Sequence, residues 1–183
     1  MLPPLGVDRA IHLESDGEEW DPQATASAIV DAVRVDEAES GPFDLVLFGN
    51  EAADSGNYQV GIRVAHALGR PVATGLKGLV VEDGALRCEQ EVAGGRDVYR
   101  VSLPAVVSVK EGLNFPRFPS VPGRMRAQRK PVASSTPARP TSRLARERLV
   151  VPEGERKQAE VLGRGAEAAP RVVEVLRQLG VVS

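Results

Sequence analysis

The sequence predicts an α/β protein whose sheet is mixed but mainly parallel, and three observations carry that prediction. Two strand–helix pairs occupy the first part of the chain, and a run of strands with tight turns follows Pro71. The composition agrees, because 42% hydrophobic and 26% charged residues are ordinary for a globular chain of 183 residues. We therefore expect helices packed against a sheet that contains an antiparallel insertion.

The first strand–helix pair lies in the acidic start of the chain. The stretch "VDRAIHLE" (7–14) predicts a short strand. Asp21 and Pro22 then supply a helix cap and a first helical residue, and apolar residues follow at helical spacing from Ala26 to Val33. We expect a helix that begins at Pro22.

The second pair starts with "FDLVLFG" (43–49), which is apolar almost throughout. Such a run is typical of a strand buried on both faces of a parallel sheet, whereas an edge strand alternates. A helix is expected from about Tyr58 to Leu68. Gly69 is placed to end it, since glycine adopts the left-handed conformation at little cost.

Strands and turns dominate after Pro71. Asp83-Gly84 between two β-rich runs predicts a two-residue hairpin, and Gly94-Gly95 predicts a second turn. The alternating "DVYRVSL" and the apolar "PAVVSV" add further strands. An antiparallel hairpin insertion followed by one more apolar strand is therefore expected.

The last third of the chain differs in composition. Half of the fourteen prolines fall between Pro116 and Pro152, so residues 131–143 predict an extended linker. The stretches "VPEGERKQAEVLGRG" (151–165) and "PRVVEVLRQLG" (170–180) predict two short helices. The expected organisation is an α/β domain over 1–130, a linker over 131–150 and a C-terminal helical arm over 151–183.

Several classes of protein are disfavoured. No apolar run reaches bilayer length, the start lacks the features of a signal peptide, and Cys88 is the only cysteine, so we expect a cytoplasmic protein without membrane insertion. His12, His66 and Cys88 lack ligand spacing, which argues against a metal site. Glu89 and Glu91 share one strand face, yet solvated charges explain them better than acid/base chemistry. No nucleophile with a base can be assembled, so the chain is not expected to be an enzyme.

A loop of small and polar residues separates the second strand from its helix. In open α/β sheets this position binds ligands, because amides at the helix N-terminus favour phosphate. The spacing matches neither a P-loop nor GxGxxG. Spacing alone therefore favours helix capping slightly over ligand binding.

A basic stretch follows the last predicted strand of the domain. Residues 117–148 hold nine Arg and Lys against one acid, whereas residues 1–44 hold eleven Asp and Glu against two Arg. Within "FPRFPSVPGRMRAQRKP" (115–131), arginines beside Phe115 and Phe118 suit single-stranded nucleic acid. Alternatively, a projecting loop carries Phe118 or Val121 to a protein partner. Only 4% of residues are aromatic and the sequence pI is about 5.8, which favours the protein partner over nucleic acid.

Six stretches in this order resemble the β subunit of electron transfer flavoproteins, including the fixation-associated A-type subunits: "GVDRAIHLE", "FDLVLFGNEAADSGNYQVG", "EQEVAGG", "LPAVVSV", "LNFPRFPSVPGRMRAQRKP" and "VVEVLRQLGVV". The resemblance implies a Rossmann-like subunit that pairs with an FAD-carrying α subunit. It also implies bound AMP, or a second FAD in electron-bifurcating members, and docking of acyl-CoA-type or other flavin dehydrogenases. Such a subunit carries electrons without catalytic residues of its own. The alternative is a stand-alone nucleotide-binding or regulatory module derived from that family.

The resemblance also assigns residues. The polar loop becomes the adenine-nucleotide site, formed by Gly49, Asp54, Ser55, Gly56, Asn57, Tyr58, Gln59 and Val60. Glu91 matches the glutamate that holds the mobile flavin domain of the α subunit, and the loop from Leu113 to Met125 matches the one that recognises dehydrogenases, with Val121 as its anchor. The expected partner-binding residues are Glu91, Leu113, Phe118, Val121, Pro122, Arg126 and Arg129.

Two departures from the family pattern matter. Family members usually have further strands and helices before the first strand, and these supply the other half of the nucleotide pocket. This chain starts almost at that strand, which predicts either a piece of a longer chain or a short form with an exposed strand edge or apolar face. Asn57 and Tyr58 replace smaller or threonine-like residues in the loop, where Tyr58 either stacks on the adenine or fills the pocket.

Overall fold

The computed structural model describes residues 6–15, 17, 20–139, 144, 147–148, 150–151 and 159–182. The chain divides into two compact units, 1–145 and 146–183. The described part of the first unit is a mixed α/β structure, which confirms the predicted class. Its strands are β1 Ala10–Leu13, β2 Leu45–Gly49, β3 Val72–Glu82, β4 Ala85–Val92, β5 Gly95–Ser102, β6 Ala105–Val109 and β7 Val132–Ser135. Its helices are α1 Pro22–Ser40, α2 Val60–Leu68 and α3 Val121–Ala127.

The main sheet has five strands in the order β2-β6-β3-β4-β5. Strands β2, β6 and β3 are parallel, and β3, β4 and β5 form the predicted antiparallel meander. Asp83 and Gly84 connect β3 to β4 with φ angles of 36° and 75°. Positive φ at both residues is what a tight hairpin requires, and it confirms the Asp-Gly prediction.

Strand β2 departs from its prediction. It pairs in parallel with β6, as expected, but it lies at the edge of the sheet and is not buried on both faces. Leu47 is 56% exposed. The most buried strand is instead β6, which lies between β2 and β3 and whose first four residues are buried.

Helices α1 and α2 pack together over one face of the sheet. Asp21 Oδ1 accepts a hydrogen bond of 2.7 Å from the Ala24 amide, which confirms the predicted cap. Gly69 ends α2 with a φ of 66°, as predicted. Val30 and Val64 meet in a cluster that Phe48 of β2 joins, so the helices bury the even-numbered side of β2.

A second apolar cluster occupies the opposite side of the sheet. Leu76, Leu86, Cys88, Ala105 and Val107 are all fully buried there. The cluster joins the parallel strands to the antiparallel hairpin, because its members come from β3, β4 and β6.

A break in register bends β3 near the carboxyl end of β6. The pairing shifts between Ala73 and Leu76 on one side and between Leu76 and Gly78 on the other. Gly75 lies inside the break with a φ of 65°, where an added Cβ would come 3.2 Å from Gln90 Nε2. Glycine is therefore required both for its backbone angle and for its lack of a side chain.

Two elements lie within segments that were predicted as linker or loop. Residues Val132–Ser135, inside the predicted linker, form β7 and pair in parallel with β1 as a separate two-stranded sheet. Residues Val121–Ala127, at the end of the predicted recognition loop, form α3, and Ser120 Oγ accepts a hydrogen bond from the Gly123 amide. The domain boundaries themselves stay a prediction.

The second unit contains a short 3-10 helix, Gly165–Ala168, followed by α4, Ala169–Gln178. Pro170 lies in the first turn of α4 and Gly180 follows its end with a φ of 69°, as predicted. Of the helix predicted over 151–165, residues 152–158 lie outside the described residues. Residues 159–164 are described and are not helical, so that part of the prediction is wrong.

Candidate functional site

A cavity of about 200 Å³ opens where β2 and β6 end and α2 begins. Its walls come from three places: the end of β2 with the following loop, the first turn of α2, and the neighbouring strands β3 and β6. Four of the predicted nucleotide-site residues line it, namely Gly49, Asn57, Tyr58 and Val60. The carboxyl end of parallel strands is where open α/β sheets bind ligands, so the cavity has the expected position.

The other predicted loop residues do not line this cavity, and their groups close the loop on itself. Asp54 Oδ1 accepts a hydrogen bond of 2.7 Å from the Ser55 amide. Gly56 has a φ of 61°, and its amide donates to the Ala52 carbonyl at 2.8 Å. Gln59 Oε1 accepts two hydrogen bonds from the Arg63 guanidinium. These contacts give the loop its shape.

The sequence left open whether the polar loop caps the helix or binds a ligand, and Asn57 has contacts relevant to both possibilities. Its side-chain Oδ1 accepts a hydrogen bond of 3.0 Å from the Gln59 amide, just before α2 begins. Its carbonyl accepts another from the Ala52 amide, also at 3.0 Å. Because the same residue also lines the cavity, the loop both leads into the helix and borders the cavity.

Tyr58 lies at the mouth of the cavity and is 55% exposed. A hydrogen bond to the Glu51 carboxylate raises the pKa of its hydroxyl above the ordinary value. Tyr58 and Glu51 also border a second, polar cavity of about 420 Å³, which Lys110 and Glu111 line as well. Tyr58 therefore borders both cavities.

The first turn of α2 faces the cavity with unused amide groups. The N–H groups of Val60, Gly61 and Ile62 have no acceptor among the described residues, and all three residues line the cavity. Such a helix start favours an anionic or carbonyl oxygen. Gly61 allows α2 to approach β2, because an added Cβ would come 3.1 Å from the ring of Phe48.

Sequence reasoning missed the polar floor of the cavity. Ser108 is only 6% exposed; its Oγ accepts a hydrogen bond from the Gly75 amide at 3.1 Å and donates one to Asn50 Oδ1 at 3.3 Å. Ser108 is the one polar residue in "PAVVSV", at the carboxyl end of the strand. That position was a usable signal, because a polar side chain at that end of a buried strand points to a site.

The predicted partner-binding residues lie mostly on an exposed segment after β6. Phe115 and Phe118 are 95% and 98% exposed, and Val121 is 70% exposed. Pro122, Arg126 and Arg129 are also exposed, whereas Leu113 is half-buried. Large apolar side chains that are almost fully exposed are typical of a surface that meets another molecule.

Glu91 and its neighbour Glu89 differ in their pairing. Hydrogen bonds from Arg96 and from Arg87 hold the pKa of Glu89 below its ordinary value. Glu91 is exposed and makes no ion pair within the described part of the chain. Glu89 is therefore ion-paired, whereas Glu91 makes no ion pair within the described residues.

The strand register relates these features to one another. Gly49 pairs with Val109, Val109 with Leu76, and Leu76 with Gln90, so they form one row across the sheet. The polar loop starts one residue after this row, and the segment with the exposed phenylalanines starts a few residues after it. Glu91 lies directly beside the row. The polar loop, the start of the exposed segment and Glu91 thus lie near one end of the strands, where β2 and β6 have their carboxyl ends.

Two further kinds of site are absent from the described residues. No helix among them is long and apolar enough to cross a membrane. No group of three or more His, Cys, Asp or Glu side chains among them is arranged to hold a metal ion.

Comparison with known proteins gives a family match and a set of relatives. A family model described as an electron transfer flavoprotein domain matches residues 2–140. The chain is 37% identical over 140 residues to the electron transfer flavoprotein subunit beta of Syntrophomonas wolfei, which covers 76% of this chain and 53% of that protein.

Two further relatives carry the same description. The subunit from Bacillus subtilis is 35% identical over 130 residues, covering 70% of this chain and 49% of that protein. The human subunit is 34% identical over 131 residues, covering 70% and 49%. The chain therefore spans about half the length of the curated relatives it matches.

Proposed function

The chain belongs to the electron transfer flavoprotein domain family, and from that premise we propose that it acts as a β-type subunit of an electron transfer flavoprotein. In this role it pairs with an FAD-carrying α subunit, binds AMP or FAD, and docks flavin dehydrogenases. It contributes no catalytic residues, since the electrons pass through the flavin of the α subunit. The observation that carries the proposal is the cavity bordered by Gly49, Asn57, Tyr58 and Val60.

The nucleotide part of the proposal rests on the size and chemistry of that cavity. Its volume of about 200 Å³ is below the roughly 300 Å³ at which pockets for whole small ligands begin. It therefore suits one part of a nucleotide, with the adenine against the apolar wall and the phosphate toward the amides of α2. A second chain segment is needed to enclose the remainder.

The partner part rests on side chains that are exposed on the segment after β6. Phe118 and Val121 offer aromatic and aliphatic anchors for a dehydrogenase, and Arg126 and Arg129 of the same segment supply positive charge. Leu113 and Pro122 would shape the segment. Glu91 is exposed and makes no ion pair within the described residues, so it can meet a cation on the flavin domain of the α subunit.

The proposed organisation keeps the boundaries given by the sequence: a nucleotide-binding domain over 1–130, a linker over 131–150 and a helical arm over 151–183. Support for the arm comes from α4, whose valines at 172 and 173 are 40% and 41% exposed. An amphipathic helix with such a face suits packing against the α subunit.

Tyr58 and Tyr99 provide a matched test of nucleotide binding. They are the only two tyrosines, both are exposed, and each bonds to a carboxylate, but only Tyr58 borders the cavity. The protein would be purified with its α subunit and denatured, and the released AMP and FAD would be quantified. If Tyr58 stacks on adenine, Tyr58→Ala lowers the nucleotide content; if it fills the pocket, the same change raises it. Tyr99→Ala should leave it unchanged, and wild-type protein without nucleotide would refute binding.

The electron-transfer role needs a separate test. Co-expressed with a cognate α subunit, the chain should co-elute with it and alter its flavin absorbance. Phe118→Ala should slow reduction by a dehydrogenase while leaving the complex intact. A chain that binds nucleotide but neither co-elutes nor changes the flavin would instead be the stand-alone nucleotide-binding module.

A further inference from the structure

Asn50 is the first residue after β2, and it borders both the apolar and the polar cavity. Its side chain is an amide, whose oxygen accepts hydrogen bonds and whose nitrogen donates them. The end of the amide that faces a ligand therefore decides which ligand atoms this wall can bind. The contacts of Asn50 within the described residues determine that orientation.

Two hydrogen bonds in series end at the oxygen of the Asn50 amide. The Gly75 amide donates to Ser108 Oγ at 3.1 Å, and the Ser108 hydroxyl donates to Asn50 Oδ1 at 3.3 Å. Because Ser108 is only 6% exposed, its hydroxyl proton needs an acceptor inside the protein. If the amide were turned end for end, Asn50 Nδ2 would face Ser108, and that proton would have no acceptor among the described residues. The series of bonds therefore favours the oxygen toward Ser108 and the nitrogen away from it.

The position of Ser108 follows from the break in the register of β3. Val107 pairs with Ala73 and Val109 pairs with Leu76, so Ser108 alone on β6 lies opposite two residues of β3. Such a bulge leaves part of the ladder without its regular hydrogen bonds. The Ser108 hydroxyl accepts from the Gly75 amide inside this bulge, and its proton is then left for Asn50. The bulge thus connects the backbone of β3 to the orientation of one side chain at the site.

The nitrogen of the Asn50 amide is the end that a ligand can use. It makes no hydrogen bond within the described residues. The first turn of α2 also offers N–H groups to the same cavity and is the better place for a phosphate, because the helix N-terminus attracts negative charge. A donor on the wall then suits an uncharged acceptor, such as a ring nitrogen of a base or an oxygen of a ribose.

We propose that Ser108 is a positioning residue, which holds the Asn50 amide so that its nitrogen donates a hydrogen bond to an acceptor atom of the nucleoside. This role rests on the nucleotide site proposed above. Ser108 acts through Asn50, so it determines which atoms of the nucleoside are recognised.

The test measures binding of AMP and of adenosine by calorimetric titration, with the chain in complex with its α subunit and the resident nucleotide removed. Ser108→Ala should weaken both ligands about three- to tenfold, as expected for one oriented hydrogen bond. Ser108→Thr keeps the hydroxyl and should restore binding. Ser102→Ala changes an exposed serine that lines neither cavity, and it should have no effect.

Asn50→Asp tests the orientation itself and does not depend on the stability of the Ser108 variants. It keeps an oxygen for the Ser108 hydroxyl and replaces the donating nitrogen by an acceptor. Adenosine carries no charge, so weaker adenosine binding, by about tenfold or more, would report the lost donor and not repulsion of a phosphate. Hydrogen exchange at the Gly75 amide should quicken in Ser108→Ala and stay slow in Asn50→Asp, because only the first change removes its acceptor.

A double-mutant cycle separates positioning from direct contact, since Ser108 also lines the cavity. If Ser108 acts through Asn50, adding Ser108→Ala to Asn50→Ala should cost no further affinity. Additive losses, or wild-type affinity for adenosine in Asn50→Asp, would overturn the positioning role while leaving the nucleotide site in place. Wild-type protein that binds neither AMP nor adenosine would overturn both.

Discussion

The ion pair between Glu37 and Arg70 connects the two helices, and its removal should be costly. Arg70 Nη2 donates to Glu37 Oε1 at 2.5 Å, and the Phe43 amide donates to the same oxygen at 3.0 Å. The side chain of Glu37 is only 17% exposed and that of Arg70 only 9%. Arg70 Nη1 is buried without a partner among the described residues, so the guanidinium already lacks one hydrogen bond.

Replacing Glu37 with Gln leaves the buried guanidinium without its counter-charge. Breaking a buried pair by removing one partner costs roughly 3–5 kcal/mol, and the partial exposure of Glu37 places the expected loss near the lower end, about 3 kcal/mol. Domains of this size are stable by about 5–15 kcal/mol, so the effect is a large fraction of the total. Urea unfolding followed by the fluorescence of Trp20, the only tryptophan, would measure it at constant m-value.

The pH dependence gives a second measurement on the same pair. Burial acts to raise the pKa of Glu37, but the hydrogen bonds from the Phe43 amide and Arg70 outweigh it, so the pKa lies below the ordinary value. A lowered pKa in the folded state means that the stabilisation is complete above the unfolded pKa. It is lost as the pH falls through the folded pKa. The difference between wild type and Glu37→Gln should therefore shrink below about pH 4.

A neighbouring residue supplies the control. Glu39 is exposed on the same helix, so Glu39→Gln should change the free energy of unfolding by less than about 0.5 kcal/mol. If both variants lose the same stability at pH 7, or if the Glu37→Gln deficit is as large at pH 3 as at pH 7, the pair does not stabilise the fold in this way.

Three further outcomes are expected from single positions. Asp21→Ala removes the side-chain acceptor of the Ala24 amide and should cost about 1 kcal/mol in thermal or urea unfolding. Gly61→Ala forces the ring of Phe48 to move and should cost about 1–3 kcal/mol while narrowing the cavity, which calorimetric titration with AMP would register as weaker binding. Burial raises the pKa of the Cys88 thiol, so a disulfide reagent at pH 8 should label it only in urea; rapid labelling of folded protein would contradict the packing of this strand.

Local signals in the sequence predicted the elements that local chemistry determines. The Asp21 cap, the Gly69 helix end and the Asp83-Gly84 hairpin each depend on a few adjacent residues, and each is confirmed. Strand β7 gave no such signal, because it depends on pairing with β1 at the other end of the unit. Its serines and the flanking Pro131 and Pro137 have the composition of a linker whether or not a distant strand is beside them.

The candidate site was predictable only in part for a similar reason. The loop after β2 was found because it follows a strand and precedes a helix, which is visible along the chain. The position of Ser108 at the carboxyl end of a buried strand was a usable signal, but its contacts with Gly75 and Asn50 come from the register of three strands. A sequence pattern does not contain that register.

The apolar sequence of β2 predicts a strand buried on both faces, but β2 lies at the edge of the sheet. Apolar residues on both faces of a strand lead to burial only where other elements cover both faces, and the composition of the strand does not supply those elements. Among the described residues β2 has one neighbour, β6, and an apolar trough lined by Ile11, Leu13 and Leu47 among others lies on its other side. The same trough lies beside Leu47, two residues before the glycine that starts the polar loop. The trough therefore lies close, along β2, to the cavity at the carboxyl end of that strand.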